Sequence, residues 1–429
     1  MNILVIGNGF DLAHGLPTKY TDFLEFVKVI KQIFMICNGE DVRDTNWGNL
    51  NVQVKELIQA SMGNVRNNLF SHGEMWNDLI GDNFWIEYFL PIYGDRKSNE
   101  KDGWIDFECE IAEVIQSLDT NMHGLKQLYN LEDITYDLSN DYFREIYSKV
   151  QQINPDDYDF SEVFSFKEIR DRLLNDLNRL IRAFEIYLTE YIEKINIKII
   201  SPDIEEIAAT IYDHHGKRGI MLSNVISFNY TNIYEHIYLH KYNIDCSNYL
   251  DFIHGKADIN HTIETNNMVL GINEYLGKKK RNKQVEFIAF KKFYQRIHKG
   301  TGCKYKEWTD VIKGEFEDYQ SELENIRTEK NIMILKATVS KLKKQYLNKH
   351  HVYIFGHSLD ISDKDILRDI ILNENVYTTV FYHNKDTMGK QIANLVKVIG
   401  QDELIRRTGG STRTIEFKLQ RPMVERESN

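Results

Sequence analysis

Residues Ile3-Leu4-Val5-Ile6 form a short, wholly apolar run, rich in β-branched side chains, that stops at Gly7-Asn8-Gly9. A run of this length with no polar alternation, closed by turn residues, predicts a strand buried on both faces, as in a parallel sheet. Pro17 and Thr18 then precede Tyr20, Phe23, Leu24 and Val27 at helical spacing, with Asp22 and Glu25 near the start. The first forty residues therefore read as strand, glycine-rich turn and helix.

Composition supports a large folded core. The 429 residues include only 24 glycines and 5 prolines, scarce against a combined share of roughly 12% in average proteins. With a hydrophobic share of 42%, this argues against disorder, collagen-like structure and a loop-rich β-sandwich. The length fits one large domain with insertions or two to three domains. Cys37, Cys109, Cys246 and Cys303 are scattered and form no C-x-x-C pair, which argues against a zinc ribbon or a disulfide framework; reduced, buried thiols are expected. No apolar run approaches the roughly 20 residues of a membrane span. The N-terminus lacks the basic region and cleavage site of a signal peptide. The expectation is a soluble, acidic, cytoplasmic protein of net charge −11 with no membrane partner.

From about 105 to 200 apolar residues recur at intervals of three and four, most clearly Leu173, Leu177, Leu180, Phe184, Leu188 and Tyr191, one face of a long helix. Strand-like runs return at 219–228, 249–253, 268–272, 351–355 and 376–382, with a second helical segment at roughly 306–347. The expected fold class is α/β, a Rossmann-like parallel sheet interrupted by large α-helical insertions. Residues 1–30, 217–274 and 348–429 would form the nucleotide-binding domain, 31–216 a helical insertion and 275–347 a second, smaller one. Within residues 278–307 stand eleven Lys and Arg against only Glu286 and Glu307. Such a stretch is a solvated helix face or a nucleic-acid surface, the latter not favoured.

Four strand ends carry residues able to do chemistry. The first is Gly7 to Thr18, GNGFDLAHGLPT. Glycines after a buried strand permit close backbone approach to a ligand, and a following helix N-terminus can hold phosphate. Gly15 comes too late for a full G-x-G-x-x-G fingerprint, so a ligand-free turn explains the glycines equally well. Asp11, His14 and Pro17 crowd the same loop. The second end is Ser227-Phe228-Asn229-Tyr230-Thr231-Asn232, where Asn229 would face the crevice at the strand's carboxyl end and Thr231 or Asn232 would serve as helix caps. The third is His254-Gly255, a candidate general base or a structural histidine. The fourth is Gly356-His357-Ser358-Leu359-Asp360, followed by Ser362 and Asp363, suited to a ribose or phosphate or to helix capping. Asp106 and Glu108 in Trp104-Ile105-Asp106-Phe107-Glu108 mark a helix start with a carboxylate that reaches the cleft or merely caps.

The string IGNGFDLAHGLPTKYTDFL, with SFNYTN, HG and FGHSLDISDKDIL downstream, resembles the AbiH family of phage abortive-infection proteins from residue 3 to about 370. More distantly, the order of these motifs is similar to the sirtuin-like NAD-cleaving superfamily. That resemblance implies an NAD glycohydrolase with Asn229 and His254 catalytic. It implies NAD bound by Gly7, Asn8, Gly9, Phe10, Asp11, His14, Leu16, Pro17, Thr18, Ser227, Tyr230, Thr231, Gly356, His357, Ser358, Asp360 and Asp363. The four-cysteine zinc module of sirtuin deacylases is missing and Pro17-Thr18-Lys19-Tyr20 replaces their Pro-Asp-Phe-Arg element, so plain NAD cleavage fits better than deacylation. The implied protein is an antiviral effector with NAD as substrate and no metal. It would be gated by homo-oligomerisation, a phage-derived trigger or a partner defence protein. Two alternatives stand beside this reading. One is a metal-dependent nuclease or phosphoesterase with Asp11, His14, His254, His357 and Asp363 as ligands. The other is a non-catalytic module that senses NAD or ADP-ribose.

Overall fold

A computed structural model describes residues 1–37, 46–71, 73–99, 106–129, 135–136, 164–214, 217–242, 245–328, 331–347 and 350–426. The chain forms two compact units, one of residues 1–16, 196–256 and 300–429, the other of residues 17–195 and 257–299.

The first unit is built on a six-stranded sheet of β1 (Asn2–Ile6), β2 (Asn224–Ser227), β3 (Leu250–Phe252), β4 (His350–Phe355), β5 (Val376–Tyr382) and β6 (Ile415–Leu419). Its order is β6-β5-β4-β1-β2-β3 and every pairing is parallel. This is the doubly wound Rossmann order, in which the strand sequence reverses between β1 and β4. The apolar run that opens the chain is the reason β1 is central: Ile3, Leu4, Val5 and Ile6 are all buried. A six-residue helix, α1 (Asn8–Ala13), follows β1. A helical pair, α2 (Tyr305–Asn325) and α3 (Ile332–Tyr346), precedes β4. The later crossovers run through α4 (Lys364–Ile371), α5 (Lys385–Ile399) and α6 (Gln401–Thr408). Ile366, Leu367, Ile370 and Ile371 of α4 and Leu395 and Val398 of α5 join Val352, Ile354, Val376 and Val380 of the sheet in one core.

The second unit is helical. Its long helix Phe166–Tyr187 continues into a π-helical turn Leu188–Ile192, and the expected face from Leu173 to Tyr191 is buried along its length. Helix Tyr20–Cys37 belongs here, because Phe23 and Phe26 pack against Phe184 and Tyr187 with ring centroids 5.0 and 4.8 Å apart. Tyr187 Oη donates to the Pro17 carbonyl at 2.8 Å. The unit boundaries thus fall at 16/17, 195/196, 256/257 and 299/300. Residues 17–30 and 257–274 go with the helices rather than the sheet, while 196–216 and 300–347 go with the sheet.

Two strand expectations need correction, and one strand is additional. The run at 219–228 is broken at Ser223, whose hydroxyl donates to the Ile207 carbonyl. Residues Lys217–Leu222 form an antiparallel hairpin with Ala209–His214, and only Asn224–Ser227 enters the sheet. The run 268–272 is buried but not a strand, and only Ile272 makes a bridge, to Lys291. Strand β6 was not expected. The glycine turn is itself wound into α1 rather than being a loop. Cys246 is buried, whereas Cys109 and Cys303 are exposed. No helix among the described residues is long and apolar enough to cross a membrane.

Candidate functional site

The carboxyl ends of β4, β1, β2 and β3 lie side by side in the first unit, and each leads into one of the four polar turns. At the β1–β4 reversal the two turns meet backbone to backbone. The Gly7 amide donates to the Phe355 carbonyl at 3.3 Å, Gly9 to Gly356 at 2.8 Å and Phe10 to Gly7 at 2.7 Å. Gly356 has a φ of +67°, and a Cβ there would lie 2.1 Å from the Phe10 nitrogen. A Cβ on Gly9 would lie 2.7 Å from the Gly356 oxygen. These glycines are needed for the close approach of two loops. The amides of Gly7, Gly9 and Phe10 are thus paired with carbonyls.

His14, at the C-cap of α1, has both ring nitrogens engaged. Nδ1 donates to the Phe10 carbonyl at 2.7 Å, and Nε2 lies 2.8 Å from Tyr238 Oη, which accepts from the Ser201 amide at 2.7 Å. Tyr238 therefore donates to an unprotonated Nε2. Burial pushes the His14 pKa down to about 4, opposed in part by the bond to Phe10, so the ring is neutral near pH 7. Phe10 and Leu16 are buried in the same unit, and Asn8 is exposed. Pro17 and Thr18, buried as well, belong to the second unit.

Asp11 lies on α1 and is buried. Its Oδ1 accepts from Asn229 Nδ2 at 3.0 Å and its Oδ2 from Thr231 Oγ1 at 2.7 Å. Both are charge-assisted bonds, worth about 1.5–3 kcal/mol each. Ser227 shapes the turn that delivers Asn229: its Oγ accepts from the Asn229 amide and donates to the Asn229 carbonyl, both at 3.2 Å. Thr231 is thus an Asp11 partner. The clamp fixes the orientation of the Asn229 carboxamide and leaves Oδ1 buried without a hydrogen-bond partner. A buried, unsatisfied carbonyl oxygen costs about 1–3 kcal/mol, and a bound N–H or O–H group at this strand end would satisfy it.

One carboxylate serves two histidines at the neighbouring ends. Asp363 Oδ1 lies 3.4 Å from His254 Nε2 and its Oδ2 lies 3.5 Å from His357 Nε2. All three side chains are buried. His357 Nδ1 accepts from the Leu359 amide at 2.9 Å, which places the ring proton on Nε2, facing Asp363. Leu359 pays for that bond with a φ of +61°, a strain of about 1–2 kcal/mol for a side chain of its type. Its complete burial holds the turn in place. Asp360 Oδ1 accepts from the Ser362 amide at 2.9 Å and closes the turn before α4. Ser358 is exposed, and its carbonyl accepts from Asn394 at 3.0 Å.

The aromatic rings beside Asn229 tie these groups together. Phe228 packs edge-on against His254 and His357, with centroids 5.5 and 4.3 Å away, and Tyr230 lies 6.3 Å from His254. Asn229 is therefore flanked by two residues that touch the His254 ring. The bridging role of Phe228 and the left-handed Leu359 were not expected. Their only sequence signal was membership of the SFNYTN and GHSL strings. Among the described residues no three His, Cys, Asp or Glu side chains are arranged to hold a metal ion, and His14 spends both nitrogens elsewhere. Of the other candidates, Asp106 caps its own helix through the Glu108 amide at 2.9 Å, and Glu108 pairs with Lys292 at 2.7 Å. Trp104 and Ile105 lie outside the described residues. The basic stretch is not one solvated face, because Lys291 and Lys292 are buried in ion pairs with Glu274 and Glu108.

The family model described as bacteriophage abortive infection AbiH matches residues 3–383, a span that includes all four turns. No curated protein and no solved structure matches the chain.

Proposed function

Since the chain belongs to the AbiH family of bacteriophage abortive-infection proteins, which act in defence against phage, we propose that it does so by hydrolysing the nicotinamide–ribose bond of NAD. The observation that carries this reading is the Asn229 carboxamide. It is buried and clamped by Asp11, has an unmet acceptor, and sits beside a histidine held by a carboxylate.

The residue types suit the reaction. The bond from nicotinamide N1 to ribose C1′ breaks with its electron pair passing to the cationic ring, so nicotinamide leaves neutral without a general acid. Water oxygen bonds to C1′, and its surplus proton passes to His254. Asn229 Oδ1 accepts from the attacking water or a ribose hydroxyl without titrating. Asp363 stabilises the imidazolium that forms, as a carboxylate does for a catalytic histidine elsewhere. Buried surroundings limit competing solvent as charge develops on the sugar. Such an activity must be silent before infection, which calls for a gate through oligomerisation or a phage-derived trigger.

Purified protein incubated with NAD, with and without phage lysate, is expected to release nicotinamide. Asn229→Ala and His254→Ala, with unchanged circular dichroism, are expected to lower release by about 10²–10⁴-fold. Undiminished release from either variant overturns the assignment. Stoichiometric binding by calorimetry with no product would instead make the site a sensor.

A further inference from the structure

We propose that the α2–α3 hairpin is a self-association surface, on which the acidic helix of each copy meets the basic helix of a second copy. Helix α2 turns Tyr305, Trp308, Ile312 and Tyr319 inward. On its opposite face Glu307, Asp310, Gly314, Glu317, Ser321 and Glu324 line up at spacings of three and four as one acidic seam along the helix. The four acids and Ser321 are exposed, and a Cβ on Gly314 would meet nothing within 4 Å.

Helix α3 has the opposite charge. It carries Lys336, Lys341, Lys343 and Lys344, all exposed, and no Asp or Glu. Leu342 is its one buried residue. Within the hairpin Tyr319 and Tyr346 pack with centroids 5.9 Å apart, and Tyr346 Oη donates to Glu322 at 2.8 Å. These contacts occupy the inner faces and leave the charged outer faces uncovered. Asn331 caps α3 through the Met333 and Ile334 amides at 3.0 and 3.3 Å. That cap fixes a first turn in which Ile332, Met333 and Ile334 are 67%, 82% and 52% exposed. Three consecutive exposed apolar side chains mark an interaction surface.

Charge selects the occupant. Two α2 seams repel each other, as do two α3 faces. A twofold contact that sets α2 on α3 satisfies both signs twice, because an isologous interface uses the same patch on each copy. The apolar first turn of α3 supplies the burial that surface ion pairs alone do not.

Sedimentation velocity of the full chain tests this. A dimer is expected whose dissociation constant rises with ionic strength. Lys341→Glu with Lys344→Glu, and separately Asp310→Lys with Glu317→Lys, are each expected to raise that constant by about tenfold or more. An equimolar mixture of the two double variants is expected to restore a dimer, which a structural defect would not do. A chain that stays monomeric to ~100 µM, a dimer indifferent to both reversals, or a monomer that floats with anionic phosphatidylglycerol vesicles overturns the proposal.

Discussion

Two stretches of the same sheet edge both end in polar turns and are built for different ends. Where β1 meets β4, glycines bring two loops into backbone contact, and the polar groups are consumed internally: Gly9 N–H by Gly356, and His14 by Phe10 and Tyr238. Where β2 meets β3, bulky polar side chains are buried and oriented, and a strong acceptor, Asn229 Oδ1, has no hydrogen-bond partner. Satisfied groups stabilise, whereas an orphaned one costs stability and persists where a ligand completes it. The half that resembles a dinucleotide fingerprint is thus the scaffold, and the half with no glycine fingerprint holds the unmet acceptor.

The largest expected effect tests the scaffold half. Gly356→Ala sets a methyl group 2.1 Å from the Phe10 nitrogen and 2.5 Å from the Gly9 carbonyl carbon, both backbone atoms that cannot rotate away. Overpacking and the left-handed φ together are expected to cost about 4 kcal/mol or more, read as a lowered urea midpoint or loss of folded protein. A midpoint equal to wild type would mean that the loops stand apart, which would reopen the β1–β4 crevice as a ligand site.

The reasons the two halves were unequally legible are physical. Strands β1, β4 and β5 announce themselves because central parallel strands are apolar on both faces. Edge strand β6, IEFKL, carries Glu416 and Lys418 and lacks that signature. The run 268–272 misleads because burial alone does not make a ladder. At the site, Asn229 and His254 stood out by their place at strand ends. The bond joining Asp11 to Asn229 spans 218 residues, and the His357 ring that faces Asp363 is set by a strained Leu359; neither has a local pattern.

A smaller effect tests His14 as a structural histidine. His14 titrates near pH 4 when folded and near 6.5 when exposed. Above pH 6.5 the ring is neutral in both states, and stability is unaffected. As pH falls from 6.5 to 4 the unfolded chain takes up a proton that the folded chain refuses. Stability is therefore lost across that window, by roughly 3 kcal/mol, and the loss levels off below it. Urea midpoints measured against pH should show this slope in wild type and a flatter one in His14→Gln. Equal slopes would mean that His14 is open to solvent and that the scaffold half is not closed.

The smallest effect isolates strain from contact. Gly15 has a φ of +79°, close to that of Gly356, yet a Cβ there would meet nothing within 4 Å. Gly15→Ala is expected to cost only the left-handed backbone, about 1 kcal/mol, by the same urea measurement. Because the two glycines share a conformation and differ in surroundings, the gap between their costs measures the backbone packing at β1 and β4 alone. If Gly15→Ala proves as damaging as Gly356→Ala, turn geometry rather than close packing explains the glycines. The scaffold half would then keep room for a ligand beside it.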